Sequence, residues 1–234
     1  MTPGNPRGNH RNRERLTGCI NIKNMTLPPL HGLILTGGHS TRMGSPKCLL
    51  DYHGKPQYRH AAALLAPFCE RVFLSCREAQ QDWFEGFPLV FDMPDFGGIG
   101  PMSGVLSAMK GSPSPSAWFV LGCDYPMLES ADVAQLIAAR DPKRVATAFL
   151  NPDTKAPEPL VAMYESAARD LMLEWFGQGN QSLRVFLELN DVVLVRPDRP
   201  ARLESVDTPG QVPPSRYRRL GTAGFSRRKR IIPK

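Results

Sequence analysis

The sequence predicts an α/β protein built as a three-layer, doubly wound, mostly parallel sheet. Two observations carry that prediction. Apolar runs of strand length alternate with stretches of helix-forming composition, joined by short connections. The loops rich in glycine and aspartate each leave a strand, and in open sheets of this kind ligands gather beyond the carboxyl ends of the strands.

The elements follow in order. Residues 32–35 form a short apolar run that reads as a buried strand. Residues 56–65 have helix-forming composition, with Pro56 tolerated in the first turn. β-Branched and aromatic residues mark strands at 71–75 and 89–91, and a helix is expected at 105–109 behind the turn at Gly100-Pro101. Residues 117–121 are the most continuous apolar strand, 132–140 the next helix and 145–150 another strand.

Composition bounds the rest. With 234 residues, 41% of them hydrophobic, the chain can bury one good core, and a single folded domain is the default. No apolar run approaches the roughly 18 residues of a membrane span, and the arginine-bearing N-terminus lacks the apolar block of a secretory signal. The five cysteines (Cys19, Cys48, Cys69, Cys76 and Cys123) are odd in number and form no Cys-x-x-Cys pair. They read as reduced thiols of a cytoplasmic protein, not as a zinc site or disulfide frame.

The net charge of +7 is unevenly distributed. Residues 1–28 carry a net +4 and residues 213–234 a net +8, which leaves residues 29–212 at −5. The expected organisation is a mildly acidic domain at 29–212 between two basic, disordered tails. Met25 stands just before the first strand and is the expected natural start. The tails also support a rival reading as a nucleic-acid-binding protein, through phosphate contacts at Ser226-Arg227-Arg228-Lys229-Arg230. No aromatic platform accompanies those charges, which disfavours the rival.

Three loops carry the chemistry. The first runs Leu35-Thr36-Gly37-Gly38-His39-Ser40-Thr41-Arg42-Met43-Gly44-Ser45-Pro46-Lys47. Its glycines let the backbone turn and approach a ligand closely, and Arg42 and Lys47 supply fixed positive charge, so the loop suits a polyphosphate. It is neither a Walker A loop nor the dinucleotide-binding Gly-x-Gly-x-x-Gly. The second loop, residues 91–104, leaves a strand and then opens a helix, and helix N-termini favour anions and polar base edges. Asp92, with Asp95 as the alternative, could accept hydrogen bonds from a nucleotide there. In the third, Gly122-Cys123-Asp124-Tyr125-Pro126, an aspartate at a strand's carboxyl end is placed to hold Mg2+ against a triphosphate.

The string Leu-x-Gly-Gly-x-Ser-x-Arg-Met-Gly-x-x-Lys resembles the signature of the MobA-like nucleotidyltransferases. Gly100-Pro101-Met102-Ser103-Gly104 and Cys123-Asp124-Tyr125-Pro126 match that family's later motifs in order. The resemblance covers roughly residues 30–210 and implies a nucleotide-diphospho-sugar transferase-like fold. It implies a guanylyltransferase that moves GMP from GTP to the phosphate of molybdopterin and releases pyrophosphate. Leu35, Thr36 and Gly37 would contact the nucleotide through backbone, Gly38 would admit guanine, Ser75 would lie near the base or ribose, and Asp92 and Gly100 would also bind the nucleotide. Arg42, Lys47 and Asp124 would be catalytic, with Asp124 holding Mg2+. Ser182 and Arg184 would meet the pterin phosphate or serve only as a cap and a surface charge. Asp207 stands where the family has a neutral amide facing the anionic acceptor. Other molybdenum cofactor biosynthesis proteins and apo-molybdoenzymes are the implied protein partners, without a membrane. A cytidylyltransferase, or another small-molecule phosphate nucleotidyltransferase, is the alternative within the same fold.

Overall fold

In the computed structural model, which describes residues 27–37 and 46–207, β1 (Leu30–Leu35) is buried on both faces. Leu30 and Ile34 point into one apolar cluster while Leu33 and Leu35 point into another. That is the pattern of a central strand with helices on both sides. β4 (Ala117–Gly122) repeats it, with Phe119 and Leu121 on the first side and Trp118 and Val120 on the second. Helices α1 (Gln57–Leu65) and α3 (Ser130–Ala138) contribute to the first cluster; α2 (Pro101–Gly111), α4 (Ala168–Gly177) and α5 (Leu183–Leu189) contribute to the second. The expected three layers are present.

The remaining strands are β2 (Val72–Cys76), β3 (Leu89–Phe91), β5 (Ala146–Leu150), β6 (Pro157–Tyr164) and β7 (Val192–Val195), and the sheet runs β3-β2-β1-β4-β6-β5-β7. The order reverses beside β1, where β2 and β4 leave in opposite directions with parallel pairing. β6 is the exception to the parallel expectation, since it pairs antiparallel with both β4 and β5. The chain returns from β5 through a tight turn in which the Asn151 side-chain oxygen accepts from the backbone N–H groups of Asp153 and Thr154. A connection that short permits only an antiparallel neighbour.

α2 starts at Pro101, earlier than the sequence indicated, because Ser103 and Gly104 are poor helix formers that hide its first turn. The sequence reading assigned no elements to α4 and β7. Residues 1–26, with Met25, and the basic C-terminal segment lie outside the described residues, as do Gly38 and Arg42.

One buried ion pair ties the sheet's far end together. The Arg140 guanidinium donates to both carboxylate oxygens of Glu165, at 2.7 and 2.9 Å, and to the Pro28 carbonyl at 3.1 Å.

Candidate active site

β1, β2 and β4 end side by side, and their loops enclose a cavity of about 460 Å³. The first wall is the end of β1. Thr36 is buried; its hydroxyl donates to the Ser75 carbonyl at 2.7 Å and its N–H to the same oxygen at 3.1 Å, locking the strand ends together. Beyond it Gly37 is exposed, and an added Cβ there would meet nothing within 4 Å, so its backbone stands open to a ligand. Lys47 begins a short 3-10 turn (Lys47–Leu49) held down by buried Cys48. Its ammonium reaches into the cavity and pairs with Asp207 at 2.5 Å.

The third loop provides Asp124. Gly122 is required beneath it, because a Cβ at that position would lie 2.2 Å from Asp124 Oδ1. The Asp124 carbonyl accepts from the Val206 N–H at 2.8 Å, which brings the C-terminal segment, and with it Asp207, against the loop. Burial raises the Asp124 carboxyl to a pKa of about 6; the Lys47 charge pulls it back, while Asp207 and Glu158 push it further up. A carboxylate disfavoured by burial and by two negative neighbours gains from a cation. Two imidazoles brace the same loop: His53 Nε2 bonds the Pro126 carbonyl at 2.7 Å and stacks on His60 with centroids 3.7 Å apart. Burial first, and His53 second, lowers His60 to a pKa of about 4, so it stays neutral.

The second loop closes the opposite side. Gly100 precedes α2 with φ 71° and ψ −144°, a conformation suited to glycine, and Pro101 fixes the first helical residue. Gly104 lets the helix come down on Ser75; a Cβ there would sit 2.2 Å from the serine hydroxyl oxygen. Asp92 lines the cavity and its carboxyl is raised by burial, against the opposing influence of Ser103 and Arg77. Asp95 instead pairs with Lys110 at 3.1 Å on the exposed side of the loop. Of the two aspartates, geometry brings Asp92 to the cavity.

Leu35, Thr36, Gly37, Lys47, Ser75, Asp92, Gly100 and Asp124 thus border one space, while Gly38 and Arg42 fall outside the described residues. Arg77 also lines it, and sequence reasoning missed it although it lies two residues beyond Ser75. Asp207 reaches Lys47, whereas the resemblance implied a position facing the acceptor.

The donor set fits a hard cation. Asp124 presents a carboxylate to the cavity with Asp207 close by, and no group of three or more His, Cys, Asp or Glu side chains that could hold a metal occurs among the described residues. Mg2+ ordinarily takes one or two carboxylates and fills its octahedron with phosphate and water oxygens.

A second cavity of about 660 Å³ has Tyr125, the residue after Asp124, in its wall. Tyr52, Asn151, Glu158 and Arg184 are among its walls. Ser182 is not; it caps α5, accepting from the Val185 N–H at 3.3 Å.

A doubly wound sheet that gathers a glycine turn, a lysine and a carboxylate at its strand ends has the architecture of a nucleotidyltransferase. The chain belongs to the family of the MobA-like NTP transferase domain, whose family model matches residues 32–198. It is 36% identical over 183 residues to the molybdenum cofactor biosynthesis bifunctional protein of Synechocystis, covering 77% of this chain but 52% of that one. The chain therefore spans about half the length of that relative. It is 28% identical over 185 residues to the molybdenum cofactor guanylyltransferase of Shewanella amazonensis, covering 78% of this chain and 93% of that one. The crystal structure of molybdopterin-guanine dinucleotide biosynthesis protein A from Archaeoglobus fulgidus superposes with a TM-score of 0.61 at 21% identity, covering 77% and 93% of the two chains. That likeness establishes the shared fold.

Proposed function

We propose that the chain transfers GMP from GTP to the terminal phosphate of molybdopterin or its molybdenum-loaded form, giving a pterin–guanine dinucleotide and pyrophosphate. The observation that carries this reading is the convergence of the three sequence motifs on the 460 Å³ cavity. The guanylyltransferase relative supports the guanine and pterin assignments, and the cytidylyl alternative is not favoured.

In this reading an ionised oxygen of the acceptor phosphate attacks the α-phosphorus of GTP in line. A P–O bond forms there while the bond to the β-phosphate bridging oxygen breaks, and pyrophosphate leaves with that electron pair. The acceptor is already ionised near neutral pH, so no strong general base is needed. The protein's task is to bring two anions together and to stabilise charge on the phosphoryl oxygens. Leu35, Thr36 and Gly37 offer backbone to the nucleotide, Gly38 leaves room for guanine, and Ser75, Asp92 and Gly100 bound the base and ribose. Lys47 and Arg42 neutralise the triphosphate. Asp124 holds Mg2+, which when bound supplies further positive charge to the phosphates. The product passes to apo-molybdoenzymes, with other cofactor-biosynthesis proteins supplying the acceptor in the cytoplasm. A folded domain at 29–212 does this chemistry, flanked by the two basic tails.

The test uses the full chain with Mg2+, α-labelled GTP and molybdopterin. Label is expected to pass to the pterin product with stoichiometric pyrophosphate. Transfer from CTP in preference to GTP, or no transfer from any nucleotide, would overturn the reading.

A further inference from the structure

The second cavity contains a carboxylate that the transfer chemistry does not use. Glu158 lies on β6, is only 5% exposed, and still forms part of the cavity wall. Its orientation is fixed from behind. The Tyr125 hydroxyl donates to Oε1 at 2.6 Å, and the Asn151 side-chain amide donates to Oε2 at 3.1 Å. The Asn151 amide is itself fixed, since its oxygen already accepts from Asp153 and Thr154, so nitrogen faces Glu158. An ionised carboxylate has about four acceptor positions, and two neutral donors occupy only two of them. Among the described residues no other donor reaches either oxygen, which leaves each with an acceptor position for a guest. Burying a carboxylate is costly unless it is fully hydrogen-bonded, so this arrangement calls for further donors.

We infer that Glu158 reads the amino-pyrimidinone edge of the acceptor's pterin ring, with Tyr125 and Asn151 holding the carboxylate in position. A pterin presents an exocyclic amino N–H and the adjacent ring N–H side by side, two parallel donors that match two carboxylate oxygens, as a guanidinium does. Arg184, on the same cavity wall, is left for the anionic end of the ligand. Tyr125 adjoins Asp124 in sequence, which links the ring-binding cavity to the reacting phosphates. The inference rests on the pterin acceptor proposed above, yet it assigns a residue and an orientation that the reading of the nucleotide site does not need. Guanine bears the same edge, so the test must separate the two rings.

The full chain is titrated with 6-(phosphomethyl)pterin and with the corresponding lumazine, in which oxygen replaces the amino group, following quenching of ligand fluorescence. The wild type should bind the pterin at least tenfold more tightly than the lumazine. Glu158→Gln should reduce that ratio to about one, while Tyr125→Phe should reduce it partway. A merely structural role would weaken both ligands alike and leave the ratio intact. The GTP-over-ITP preference, read by thermal shift with Mg2+, should be the same in wild type and Glu158→Gln. Equal binding of pterin and lumazine by the wild type, binding of neither, an unchanged ratio in Glu158→Gln, or a lost GTP preference in that variant would each overturn the inference. Failure of the parent reading looks different: Glu158-dependent pterin binding without GMP transfer would remove the reaction and leave this site standing. GMP transfer with no pterin-over-lumazine preference would do the reverse.

Discussion

Asp124 is where single-residue effects are largest. Its folded pKa, about 6, stands above the ordinary carboxylate value, so the folded state holds the proton more tightly than the unfolded state. Ionised Asp124 therefore costs stability. The cost is absent below pH 4, grows as pH rises from about 4 to 6, and is constant above that window. Asp124→Asn is expected to abolish most transfer, about 10²–10³-fold. The same change should stabilise the fold at pH 7 by about 3 kcal/mol. Thermal melts of both proteins at several pH values check this, because the variant's advantage should vanish near pH 4. Gly122→Ala pushes a methyl group toward Asp124 Oδ1, and the short carboxylate is the part able to move. Little change in melting temperature and a fall in kcat of about 100-fold are expected. Asp207→Asn removes a negative charge beside Lys47 and should lower the KM for GTP by up to about fivefold, the scale of a half-exposed ion pair. Steady-state kinetics in GTP decide both.

Among elements, α2 closes one side of the first cavity, and its direction is set by the glycine before it. Gly100→Ala forces an L side chain into φ 71°, ψ −144°, costing about 1–3 kcal/mol. If the helix start reorients to relieve that strain, the KM for GTP should rise while the second cavity is untouched; urea melts and a GTP titration check the two parts. This element also shows what a sequence can hide. Ser103 and Gly104 blur the first turn of α2, yet Gly104 is there because Ser75 approaches it, a contact between residues 29 positions apart. Local propensity argued against helix at the place where tertiary packing required a glycine. The reverse holds for β4, whose apolar run was legible because burial on both faces demands apolar residues at every position.

Across the whole molecule, the antiparallel strand β6 is what builds the second cavity. It brings Glu158 beside Tyr125 by running back between β4 and β5. Its far end is fixed by Glu165, which Arg140 holds together with Pro28. Arg140→Ala leaves that carboxylate buried and unpaired and should cost about 3–5 kcal/mol in urea unfolding. GTP kinetics at saturating stability should stay close to wild type, since the pair lies at the opposite end of the strands from the cavities. A comparable loss of transfer would mean that the sheet transmits the strain.

By itself the sequence determined the alternating strands and helices, the three layers and the glycine- and aspartate-rich loops that border the first cavity. Those loops are short, local and dense in glycine and aspartate, so their chemistry is written in consecutive residues. Tertiary structure alone decided the rest. It chose Asp92 over Asp95 for the cavity, joined Lys47 to Asp207 across 160 residues, and turned β6 antiparallel so that Glu158 meets Tyr125 and Asn151. The physical reason is distance along the chain. A hydrogen bond or ion pair between remote residues leaves no period and no motif, and it exists only once the sheet has fixed which strand ends are neighbours.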